Sequence, residues 1–130
     1  MTQDDFDSSG AWGLLATADL QDCDTVAIRD ERYIRLFVEE LCRGIGMRTF
    51  GPCQIVHFGG NTKVAGYSMV QLIDTSLVSG HFVDSSNAAY LDVFSCRYFN
   101  ASVLRSLAED WFLPKHVTMH EMLRGARRDT

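Results

Sequence analysis

Apolar and polar positions alternate along most of this chain, and the period of alternation changes twice. From Trp12 to Leu20 the run WGLLATADL has strand length, and the polar QDCD after it makes a plausible turn. From Asp30 the period becomes helical: Tyr33, Ile34, Phe37, Val38, Leu41, Cys42 and Ile45 fall on one stripe, with Arg32, Arg35, Glu39, Glu40 and Arg43 on the other. Asp30 suits the start of that helix, and Gly44 and Gly46 suit its end. Short strands are expected at Pro52–Phe58, Ser68–Ile73, Leu77–Val83 and Ala88–Cys96. A glycine-rich loop, GGNTKVAGY, separates the first two, and a turn-like DSSN separates the last two. In YLDVFSC the period is two, with Tyr90, Asp92, Phe94 and Cys96 on one face and Leu91, Val93 and Ser95 on the other.

A second helix is capped by Asn100, buries Val103, Leu104, Leu107, Ala108, Trp111 and Phe112, and stops at Pro114. Val117–Leu123 forms a last strand. The order β-α-β-β-β-β-α-β predicts an α+β fold: a two-layer α/β sandwich, with a mainly antiparallel sheet and two helices on one face. Residues 1–10 read as a disordered acidic tail, 11–125 as a single domain, and 126–130 as a second tail.

Composition narrows this picture. At 130 residues, 46% of them hydrophobic, the chain is the size of one domain with a real core. A net charge of −5 argues against a nucleic-acid surface and sits poorly with anionic membranes. The acidic start has neither the basic nor the apolar segment of a secretory signal, and no apolar run approaches the ~20 residues of a membrane span. A cytoplasmic location is therefore expected. The cysteines at 23, 42, 53 and 96 show no metal-site spacing and are expected as free thiols. The glycine-rich loop lacks the spacing of a phosphate cradle. His116 and His120 share a face of the last strand, but two histidines do not make a metal site, so no metal is expected.

The informative stretch is GYSMVQLIDTSLVSGHFVDSSNAAYLDVFSC, residues 66–96. It resembles the bacterial-type S-adenosylmethionine decarboxylases. In that family a strand opening on a small residue and serine leads to Glu-Ser-His-x-x-x-His-Thr-x-Pro-Glu and then Ala-Ala-x-Asp-x-Phe-Thr-Cys. The earlier LLATADLQDCD is similar to the family's Leu-x-x-Asp-Leu-x-x-Cys-Asp strand. The resemblance implies that Ser76 is converted to a pyruvoyl cofactor by self-cleavage between Thr75 and Ser76. It makes Ser68 and His81 processing residues and Cys96 the proton donor in decarboxylation, with residues 76, 81 and 96 around one pocket. It further implies a homodimer with sites at the interface, S-adenosylmethionine or a related amine as substrate, and a place in polyamine (spermidine) biosynthesis. Read without the family, Ser68 and Ser76 are plain polar strand positions, His81 a satisfied core histidine and Cys96 a small buried hydrophobe.

The chemistry needs these residue types. A serine hydroxyl beside the preceding carbonyl can take over its acyl group, a donor must hold the resulting oxyanion, and a base must remove the α-hydrogen. Ser68 is a candidate for the donor and His81 for the base. The sequence departs from the family pattern at several places. Thr75 replaces the glutamate and Leu77 the histidine flanking the serine, and Phe82, Val83, Asp84 and Ser85 replace Thr-x-Pro-Glu. Thr62 stands at the adenine-stacking phenylalanine, with Phe58 nearby. Phe58, Asp84 and Ser85 are the remaining substrate-binding candidates, Asp84 being expected on the opposite strand face from Ser85. These changes favour two further readings: an unprocessed homologue that binds a nucleoside-type ligand or a partner subunit, or an enzyme acting on S-adenosylmethionine without a pyruvoyl group.

Overall fold

The computed structural model describes residues 1–60 and 63–126. Six strands, β1 (Gly13–Gln21), β2 (Gln54–Phe58), β3 (Gly66–Ile73), β4 (Ser76–Val83), β5 (Ala88–Ser95) and β6 (His116–Arg124), form one sheet in the order β2-β3-β4-β5-β1-β6. Every pairing is antiparallel. Helices α2 (Glu31–Gly44) and α3 (Ala101–Phe112) contribute their apolar stripes to the core beside the sheet. Both start as the sequence indicates. The Asp30 carboxylate accepts the Tyr33 N–H at 3.0 Å, and the Asn100 side chain accepts the Ser102 N–H at 3.0 Å, each satisfying a helix-start donor.

The first ten residues differ from the expected tail. Gln3–Ser9 form a helix, α1, closed by a capping box between Thr2 and Asp5. Phe6 anchors it, with its ring 6.1 Å from Tyr98. One apolar residue in an acidic segment gives no periodicity, so only the tertiary contact reveals it. The second expected tail lies mostly outside the described residues.

Period two decides which side chains meet the helices. Leu14, Ala16, Ala18 and Leu20 of β1, Met69 and Ile73 of β3, Val78 and Phe82 of β4, and Ala89, Leu91 and Val93 of β5 are all buried. Phe112 closes this layer, its ring centroid 4.7 Å from Phe37 and 5.3 Å from Phe82. Burying one such ring stabilises the fold by about 1.5–3 kcal/mol. The alternate residues form an open face carrying Ser68, Val70 and Leu72 of β3, Leu77, Ser79 and His81 of β4, and Tyr90, Asp92 and Phe94 of β5. Val70, Leu72 and Tyr90 are exposed there.

Candidate active site

The β3–β4 hairpin places the chemistry-bearing residues. Ile73 pairs with Ser76, so Asp74 and Thr75 alone make the turn and Ser76 is the first residue of β4. The end of β5 lies alongside, with Ser76 opposite Ser95. The Cys96 backbone N–H donates to the Thr75 carbonyl at 3.0 Å. The bond between Thr75 and Ser76 therefore follows a carbonyl already polarised by a fixed donor, with a hydroxyl on the very next residue; the Cys96 side chain is exposed. On the inner side, Ser95 Oγ donates to Thr75 Oγ1 at 2.9 Å, and Thr75 Oγ1 donates to Met47 Sδ at 3.2 Å.

Ser68 and His81 form a second cluster. They are directly opposite each other on β3 and β4. Ser68 Oγ lies 2.7 Å from His81 Nδ1, and His81 Nε2 lies 2.9 Å from the Val64 carbonyl. A carbonyl only accepts, so Nε2 carries the proton in this arrangement and Nδ1 accepts from the serine hydroxyl.

The two clusters are separate within one chain. His81 is five residues along β4 from Ser76, a distance of roughly 16 Å at the rise of an extended strand. The odd spacing also puts the two side chains on opposite faces, Ser76 with buried Val78 and Phe82, His81 on the open face. This corrects the expectation of one pocket around residues 76, 81 and 96: the backbone of Cys96 meets the Thr75–Ser76 turn, and His81 does not join them. Within one chain Ser68 lies with His81, away from the turn, and the donor that touches the Thr75 carbonyl is the Cys96 N–H.

The substrate-binding candidates gather near the β2–β3 loop. Asp84 Oδ2 pairs with His57 Nε2 at 3.2 Å, and Asp84 Oδ1 lies 3.9 Å from Arg29 Nε. Arg29 also donates to the Asp84 carbonyl and, at 2.9 Å, to Asn87 Oδ1. Ser85 Oγ donates to the Lys63 carbonyl at 3.1 Å. Both side chains are thus engaged by the protein itself, whereas Phe58 presents an exposed ring. Thr62 lies outside the described residues.

Burial pushes the Cys23 and Cys42 thiols up to about 11, helped at Cys23 by the carboxylates of Asp22 and Asp24 and at Cys42 by Cys53. Burial likewise raises Cys53. All four cysteines are free. On the open face, loss of water around Asp92 and then the charge of Asp19 raise the Asp92 carboxyl. His116 and His120 lie on exposed positions of edge strand β6. Among the described residues no group of three or more His, Cys, Asp or Glu side chains is placed to hold a metal ion, and no helix is long and apolar enough to cross a membrane.

Sequence reasoning missed Ser95, Met47 and the Cys96 N–H. The small polar residue before Cys96 was the available signal, since strand register alone sets Ser95 opposite Ser76.

The sheet order, the helices on one face and the latched turn define a two-layer α+β protein of the adenosylmethionine decarboxylase architecture. The chain is similar in fold to the crystal structure of the adenosylmethionine decarboxylase from Aquifex aeolicus VF5, with a TM-score of 0.74 and 21% sequence identity over 92% of this chain and 96% of that one. The family model for S-adenosylmethionine decarboxylase matches residues 15–125, and the chain belongs to that family. No curated protein matches it.

Proposed function

We propose that this chain is a self-processing, pyruvoyl-dependent decarboxylase of S-adenosylmethionine or a related amine, cut between Thr75 and Ser76. The observation that carries the reading is the 3.0 Å hydrogen bond from the Cys96 N–H to the Thr75 carbonyl, one residue before a serine. Ser76 Oγ attacks the Thr75 carbonyl carbon; the C–O bond forms, the C–N bond breaks, and the hydroxyl proton passes to the amide nitrogen. The oxyanion of that step keeps the Cys96 N–H as donor. Loss of the Ser76 α-proton then expels the Thr75 carboxylate and leaves a dehydroalanine, whose hydrolysis releases ammonia. Residue 76 fits this conversion, since its acyl neighbour is held by the Cys96 N–H. A pyruvoyl group there supplies the electron sink for loss of carbon dioxide. The family resemblance gives Cys96 Sγ the return of a proton to the carbon that loses it.

The base is the part a single chain lacks. Ser68 and His81 lie far from their own Ser76, on an open face that also exposes Val70, Leu72 and Tyr90. A homodimer stacked through these faces about a two-fold axis covers the apolar residues and offers the Ser68–His81 pair of one copy to the turn of the other. Co-production of Ser76→Ala and His81→Ala chains tests this. Each alone stays intact. Together, mixed dimers contain one complete site, and part of the His81→Ala chain is cleaved. Absence of cleavage in the mixture, with the parent chain cleaving, contradicts the shared site.

A second reading is an uncleaved homologue that binds without catalysis. It is favoured by the internal engagement of Asp84 and Ser85 and by Thr75 and Leu77 at the positions flanking Ser76. It predicts an intact parent chain and thermal stabilisation by a nucleoside ligand.

A further inference from the structure

Residue 75 is gripped twice, by the last residue of β5 and by the residue after it. Its carbonyl accepts from the Cys96 N–H, and its side-chain hydroxyl accepts from Ser95 Oγ at 2.9 Å. The hydroxyls form a directional chain. The Arg97 N–H donates to Ser95 Oγ at 3.0 Å, Ser95 donates to Thr75 Oγ1, and Thr75 donates to Met47 Sδ at 3.2 Å. Ser95 is fully buried, so no water competes for these bonds. Arg97 ties the far end down, its guanidinium donating to the Gly46 carbonyl and, at 3.2 Å, to Met47 Sδ. Met47 therefore cannot drift from the turn without breaking contacts to both β5 and the end of α2.

We infer that Ser95 is a positioning residue for self-cleavage: its hydroxyl fixes the Thr75 side chain, and with it the tilt of the Thr75 carbonyl toward Ser76 Oγ. The inference rests on the self-processing reading above. A carboxylate is not needed at residue 75 for this purpose, because a neutral threonine both accepts from Ser95 and donates to Met47, completing the chain of donors. Acyl transfer within a chain depends steeply on the approach of the two atoms, and a misplacement of about 1 Å can slow such a step by ~100-fold.

The test follows cleavage of freshly synthesised full-length chain by mass, with hydroxylamine added to trap the ester formed at Ser76. Ser95→Ala slows ester formation by about tenfold or more, while Ser95→Thr, which keeps the hydroxyl, restores it. Thr75→Val breaks the same link from the other side. The double variant Ser95→Ala/Thr75→Val is no slower than the slower single variant, as expected when both changes remove one interaction. Thermal melts of each variant separate misfolding from misplacement. Ser95→Ala that cleaves at the parent rate overturns the inference and leaves the self-processing reading standing. So does a Ser95→Thr chain as slow as Ser95→Ala with an unchanged melt. A parent chain that never cleaves overturns both.

Discussion

Substitution of Gly66 by alanine is expected to damage the fold far more than its small size suggests. Gly66 opens β3 with φ +150, a backbone region that residues with a side chain rarely adopt, and a Cβ built there lies 1.6 Å from the Phe82 carbonyl oxygen and 2.8 Å from its carbon. An ordinary carbon–oxygen contact needs about 3.3 Å, so one backbone must retreat well over an ångström. Phe82 cannot, because it is fully buried and its ring packs 5.3 Å from Phe112. The strand start moves instead, two residues from the Ser68–His81 pair. Backbone strain of about 1–3 kcal/mol adds to an overpacking cost of about 1–3 kcal/mol, roughly 4 kcal/mol together. For a domain of this size that lowers Tm by about 12–20 °C. Gly51→Ala is the control: Gly51 also has positive φ, +77, but nothing lies within 4 Å of its Cβ position, so only about 1–2 kcal/mol is lost. Thermal and urea unfolding of both variants decide the matter. A Gly66→Ala protein melting within a few degrees of Gly51→Ala refutes the close approach of β3 to the Phe82 backbone.

Other expectations follow from the same geometry. Phe112→Ala removes the ring that meets Phe37 and Phe82 and costs about 3–5 kcal/mol, measured from the urea midpoint. Ser68→Ala takes away one half-exposed hydrogen bond to His81, so stability falls by only about 0.5–1 kcal/mol; self-cleavage measured by mass is lost nonetheless. A thiol reagent added to native protein labels exposed Cys96 first and leaves buried Cys23 and Cys42 unmodified until unfolding, as peptide mapping will read. Those two buried thiols, held at about 11 against an ordinary 9.0, stay protonated in the fold while the unfolded chain ionises. Their contribution is therefore whole below pH 9 and lost as pH rises from 9 through 11, visible as a falling urea midpoint across that window.

Much of the layer structure was legible because period matters more than propensity here. The stripes of α2 and α3 and the alternation of β5 state directly which residues face the core, and the capping residues Asp30 and Asn100 mark where the helices begin. Helix α1 was not legible, since Phe6 alone among acidic and polar neighbours gives no moment, and its fixing contact with Tyr98 joins residues distant in sequence. At the site, the family resemblance singled out Ser68, Ser76, His81 and Cys96 as a set but said nothing of distance. In an extended strand a five-residue interval both separates side chains and turns them to opposite faces, so Ser76 and His81 of one chain cannot meet on β4. The Cys96 N–H escaped notice because a backbone donor has no residue type to read. Ser95 escaped because its role depends on register across two hairpins rather than on its neighbours in sequence.

The central claim is that this chain cuts its own Thr75–Ser76 bond, and the intact mass of purified protein tests it most directly. The account predicts two components, residues 1–75 ending in a free carboxylate and residues 76–130 lighter by one ammonia than a serine-ended fragment, with the latter blocked to amine reagents. A single component at the 14.6 kDa of the full chain, unchanged after prolonged incubation, contradicts it.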